Sequence, residues 1–219
     1  MPKPITIQAY EYAELSPNAK EAARNWYKET EDDISGDIAE SYRYALEELG
    51  YPISDIKFSL SYCQGDGMAF YGRVELPEFL AKRMTDSCLE FKIVDENRKT
   101  LQELYKELGD GINYVDCNIL RRNCGYHYSH HNTMRVEFGG DYAQALNYGY
   151  DGKLTLERFD EVADDLQEWI STDVKDISRS LAKQGYEEID YARCDESVAE
   201  ALMGNDYLFT REGCRSVTL

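Results

Sequence analysis

All three histidines of the chain, His127, His130 and His131, fall within one short run, Tyr126-His127-Tyr128-Ser129-His130-His131-Asn132. Imidazole titrates near neutral pH and ligates transition metals, so a cluster of this kind has the chemistry of an acid/base pair or a metal site. On a strand, His127 and Ser129 share a face, and His130 and His131 fall at the turn that follows. The spacing is not that of a helical H-E-x-x-H zinc site, and the run contains no carboxylate, so no metal is expected. The plainer alternative is a polar hairpin tip whose histidines are exposed or bonded to backbone.

A second run, Ser61-Tyr62-Cys63-Gln64-Gly65-Asp66-Gly67, combines a nucleophile, a carboxylate and two glycines. It is not a phosphate-cradling P-loop, because it has no lysine and no helix follows. Asp-Gly between two strand-like runs signals a tight hairpin. If the two hairpins lie side by side, Asp66 or Cys63 meets His127, with His130 nearby, in an Asp/His or Cys/His arrangement. A His-dependent hydrolase or a nucleotide-binding protein at the hairpin tips (Gln64, Gly65, Asp66, Gly67, His130, His131) is then one reading.

The third candidate is a charged surface. The 219 residues carry 42 acidic and 24 basic side chains, a formal net charge of −18. Residues 154–206 hold 15 acidic residues against 5 basic ones. Asp160, Glu161, Asp164, Asp165 and Glu168 are the candidate partner-binding residues. Like charges this dense weaken a helix at i, i+4. Either they only keep the chain soluble, or they imitate nucleic-acid phosphates towards a basic partner. Direct binding to nucleic acid or to an anionic membrane is excluded by the charge.

The elements that must position these residues follow from periodicity and punctuation. Pro4–Tyr12 reads as an opening strand. Ser16 caps and Pro17 starts a helix over Ala19–Glu29, with Ala22, Ala23, Trp26 and Tyr27 inward. A second helix runs from Ile34 to Leu49 and ends at Gly50. Ile56–Cys63 and Met68–Leu76 form the first hairpin; Ile112–Tyr128 and Thr133–Phe138 form the second. Helices are expected at Pro77–Met84, Val94–Leu108 and Asp195–Met203. The strongest apolar stripe, Phe159, Val162, Leu166, Trp169, Ile170, Ile177 and Leu181, predicts a long amphipathic helix from Leu154 to a stop at Gly185. This order gives an α+β fold, an antiparallel sheet of two β-hairpins with helices packed on it, in a single domain spanning 1–219.

With 42% hydrophobic and 12% aromatic residues the chain has the makings of a packed core rather than a disordered segment. Its six cysteines contain no C-x-x-C pair, and no apolar stretch is long enough for a signal or a membrane span. A cytoplasmic protein with reduced thiols and no cofactor is expected.

The stretch Ser61–Gly72, the run Gly125-Tyr126-His127-Tyr128-Ser129-His130, the ending Phe209-Thr210-Arg211-Glu212-Gly213 and the Leu15–Tyr27 helix together resemble a family of small tailed-phage and prophage proteins. Its members carry an S-G-F-x-S-Q-G-D-G-A-x-F-x-G stretch, a G-H-Y-S-H-S run and an E-F-T-E-D-G ending. They are often labelled antitoxins of a toxin–antitoxin stability system. Tyr62-Cys63 and the additional Tyr126 depart from the pattern. The resemblance implies a phage accessory protein inside a host bacterium. One reading is an anti-defence protein, of anti-CRISPR or anti-restriction type, that inhibits a host complex with a basic nucleic-acid-binding groove. The other is an antitoxin neutralising a toxin.

Overall fold

The computed structural model describes residues 8–30, 34–84, 102, 105–122, 128–148 and 155–215. The first four residues of the expected opening strand, most of the Val94–Leu108 helix, and His127 therefore lie outside the described residues; within the rest of that strand, only Tyr10–Glu11 is extended in a ladder and Tyr12 begins a 3₁₀ turn. The chain divides into two compact units, one formed by the segments up to Ile38 and from Tyr186 onward, the other by Ala39–Gly185.

In the first unit, β1 (Tyr10–Glu11) pairs antiparallel with β6 (Leu208–Phe209), and α1 (Pro17–Thr30) packs with α6 (Asp195–Gly204). Ser16 accepts from the Ala19 amide at 3.4 Å, and Pro17 opens the helix, as the cap chemistry predicts. The core here is Tyr12, Leu15, Ala19, Ala23, Val198, Leu202 and Phe209. Ala22 faces solvent instead of the core, and Ala19 takes the inward position four residues before Ala23. Gly213 (φ +85°) lies against the Ala19 carbonyl so closely that a β-carbon there would overlap it.

The second unit holds the sheet, in the order β2-β3-β4-β5. Its strands are β2 (Asp55–Ser59), β3 (Gly67–Val74), β4 (Val115–Arg121) and β5 (Met134–Gly140), all antiparallel to their neighbours. The expected α+β architecture of two hairpins is present, with shorter strands. Cys63 falls in the turn rather than on a strand. Residues 112–114 belong to a 3₁₀ turn, as do His131–Thr133. α2 (Ser35–Leu49) ends at Gly50 with φ +78°, and α3 (Leu76–Met84) follows β3. A short helix that periodicity did not reveal, α4 (Tyr142–Tyr148), follows β5.

The long helix α5 runs from Leu156 to Ala192, with Phe159, Val162, Leu166, Ile170, Val174, Ile177 and Leu181 buried along one stripe. Trp169 is only half-buried, at the margin of that stripe, with its ring 6.2 Å from Phe79. Gly185 does not stop the helix, which continues for two more turns. Its backbone is not left-handed, and it is glycine because Tyr42 and Leu60 fill the space a side chain would need.

Only three residue pairs, Gly72 with Ile119 through Val74 with Cys117, join β3 to β4. Side chains meet polar backbone groups of β3 before that point. Ser178 on α5 donates to the Met68 carbonyl at 2.5 Å, and the Phe70 amide points at the Met134 sulfur at 3.4 Å.

Candidate functional site

The two hairpin tips come together. A β-carbon on Gly67 (φ +152°) would stand 2.8 Å from the His130 Cβ, and one on Gly65 (φ +96°) 2.9 Å from the Tyr128 ring. The glycines of Gly65-Asp66-Gly67 thus serve both the turn and the seating of one tip on the other.

The chemistry at these tips is largely consumed by the fold. The Asp66 carboxylate accepts from the Ser59 hydroxyl at 2.8 Å, the Ser61 amide at 2.6 Å and the Cys63 amide at 2.8 Å, all from its own hairpin. Gln64 is exposed beside it. His130 is buried, and its Nδ1 accepts from the Asn132 amide at 3.2 Å, so this nitrogen carries no proton. The Thr133 hydroxyl donates to the His130 carbonyl at 2.7 Å. His131 is half-buried, its ring 5.5 Å from that of His130. Burial, with Arg179, His130 and Lys175 nearby, holds its imidazole below the ordinary value, so the neutral form is favoured. His127, the remaining residue of the catalytic alternative, is outside the described residues. Among the described residues no group of His, Cys, Asp and Glu is arranged to hold a metal ion.

The acidic candidates stand differently. Asp160, Glu161, Asp164, Asp165 and Glu168 are all exposed on α5, and Glu157 extends the row. Glu161 is bound by Arg158 at 2.9 Å, and Arg158 also makes a two-toothed contact with Glu107. From Glu157 to Glu168 the six acidic residues follow at steps of three, one, three, one and three residues, rising by about 4.5 or 1.5 Å each time, which averages about 3.3 Å per charge along the axis. Phosphates on one DNA strand are spaced about 3.4 Å apart. The field reaches α4: after burial itself, Asp160 and Asp164, with Asp116 of β4, raise the half-buried Tyr142 phenol above its ordinary value.

One polar cluster escaped sequence reasoning. Asp173 accepts from the Tyr51 hydroxyl at 2.6 Å and from Arg83 at 2.5 Å, in the interior of the second unit. The Arg83 guanidinium lies 5.9 Å from the Trp169 ring centre. Burial pushes the Asp173 carboxyl up, and Arg83 and Tyr51 pull it back. The signal was present: Asp173 falls three residues after Ile170 and four before Ile177, in phase with the apolar stripe.

Residues 26–195 match a family model described as Domain of unknown function (DUF8835). The chain belongs to this family. No curated protein and no solved structure is detectably similar to it. The matched span takes in both hairpins, the Tyr51–Asp173–Arg83 cluster and the whole acidic row. No helix among the described residues is long and apolar enough to cross a membrane.

Proposed function

We infer that this protein is a binding protein whose acidic α5 face docks on a cationic groove of a nucleic-acid-handling host complex, in the manner of a phage anti-defence protein. The observation that carries the reading is the carboxylate row of α5. It is solvent-facing and set on a rigid helix, with a mean charge density along its axis close to that of one DNA strand. Such a surface steers association with a basic groove and competes with the nucleic acid for it. The resemblance to phage accessory proteins supplies the biological setting of a host bacterial cytoplasm. The hydrolase reading is less favoured, because the Asp66 carboxylate and His130 Nδ1 are engaged within their own turns.

The test compares the wild type with a variant reversed at Asp160, Asp164, Asp165 and Glu168. Each is immobilised and exposed to nuclease-treated bacterial lysate, and retained proteins are eluted with duplex DNA. Nucleic-acid-binding proteins released by DNA from the wild type, and not retained by the variant, support the reading. Equal retention by both proteins sinks it.

A further inference from the structure

The β2 sequence Asp55-Ile56-Lys57-Phe58-Ser59 alternates, so Lys57 and Ser59 share one face of the sheet. Their partners across the ladder are Ala69 and Gly67, and His130 packs over Gly67. Two adjoining hollows open here. One, of about 450 Å³, is lined by Lys57, Phe58, Ser59, Arg121, Tyr128 and Ser129, among others. The other, of about 330 Å³, has Tyr71, Ile119 and Leu120 on its walls. Lys57 and Arg121 line both hollows and so mark their common border.

In a chain with a net charge of −18, two cations converging on one groove are locally out of character. Asp55, which also lines the smaller hollow, lies 3.5 Å from Lys57, with both side chains half exposed. An exposed pair of this kind contributes little and yields readily to a doubly charged anion. Ser129 borders the larger hollow as well, while the Ser59 hydroxyl is committed to Asp66. Tyr128 is 52% exposed and presents a ring on which a planar group can stack. A cation pair and an aromatic wall bordering a hollow of several hundred Å³ have the make-up of a small-molecule site.

We propose that this groove binds a mononucleotide, with the phosphate between Lys57 and Arg121 and the base against Tyr128. The site shares no residue with the acidic row of α5, so the failure of either reading leaves the other standing.

The experiment titrates the full chain with adenosine 5′-monophosphate, adenosine and inorganic phosphate, by calorimetry and by NMR. Saturable binding of the nucleotide is expected, at least about tenfold tighter than either fragment. Lys57→Gln and Arg121→Gln should each weaken the nucleotide by about tenfold or more, with the thermal unfolding transition unchanged. Tyr128→Ala should weaken the nucleotide and leave phosphate as it was. If Arg121→Gln does not fold, Lys57→Gln decides. The assignment is overturned if the nucleotide fails to bind at millimolar concentration or binds the glutamine variants as well as the wild type. Phosphate binding as tight as that of the nucleotide also overturns it.

Discussion

Tyr42 on α2 rests its phenol against the backbone of Gly185 on α5, in the space where any other residue would carry a β-carbon. Alanine is the better helix former by about 1 kcal/mol. Gly185→Ala should nevertheless destabilise the fold by about 1–2 kcal/mol, because overpacking of this kind costs about 1–3 kcal/mol. Urea unfolding measures it, and a stabilised variant would show that the Tyr42 contact is not as described.

The Tyr51–Asp173–Arg83 cluster makes a sharper prediction. Removing one partner leaves a charge buried without its counterpart, so Asp173→Asn or Arg83→Met alone should cost about 3–5 kcal/mol. Replacing both charged residues together by leucine and methionine should cost much less than the sum. A double-mutant cycle in chemical denaturation provides the coupling. Additive losses would mean that the two side chains do not act as a pair.

Cys117, buried on β4, has its thiol pushed up by burial to about 12. Its folded value lies above the unfolded one, so the folded state holds the proton longer than the unfolded state does. The stability this contributes is complete below about pH 9 and is lost as pH rises through about 12, amounting to about 4 kcal/mol at most. Burial raises the Tyr51 phenol well above its ordinary value too, which adds to the same alkaline loss. Denaturant midpoints measured from about pH 8 upward should fall less steeply for Cys117→Ala than for the wild type. Parallel curves would argue against a buried, protonated Cys117.

His131 shifts in the opposite sense. Its imidazole is held below the ordinary value in the folded state, so the unfolded chain takes up a proton first. The stability it contributes is present above about pH 6.5 and drains away as pH falls below that. His131→Gln should flatten this acid limb, and an NMR titration of the ring should place its midpoint below that of a free histidine. A midpoint at or above the free value would contradict the burial beside Arg179 and Lys175.

Asp164 lies four residues from both Asp160 and Glu168, so it takes part in two like-charge pairs on the exposed face of α5. Asp164→Gln should stabilise the protein by a few tenths of a kcal/mol up to about 1 kcal/mol. Thermal unfolding at low and high salt checks this, because added salt should shrink the gain. A destabilised variant would indicate that Asp164 has a favourable partner. The acidic row would then have a structural role of its own.

Features governed by neighbouring residues were legible in the sequence. Ser16-Pro17 and Gly50 marked real helix ends because caps and left-handed glycines act over one turn. Asp66-Gly67 marked a real hairpin but not its turn, which falls at Gln64-Gly65 in a longer loop, with Gly67 already on β3. Gly185 was misread because a glycine in a helical pattern signals either a stop or a close approach. Tyr42, far away in the chain, decides which. Trp169 was expected to be fully inside, but it lies at the edge of the stripe, where Arg83 meets its ring. The candidate site divides along the same line. Exposure of the α5 carboxylates followed from helical phase alone, whereas the engagement of Asp66 and His130 within their turns depended on loop geometry that residue types do not encode.

The hydroxyl of Ser178 has a consequence for how sequences in this family drift. Where β3 is laddered to β4, backbone satisfies backbone, and the side chains there are constrained only by packing. At Met68 the carbonyl depends on a side chain instead, so position 178 can change only to a residue that still offers a short donor, threonine or cysteine before alanine or valine. Residues Gly67–Tyr71, laddered to β2 but not to β4, therefore lean on position 178 in a way that Gly72–Val74 do not. A lineage that loses the hydroxyl must compensate at Met68 or on the neighbouring turn of α5.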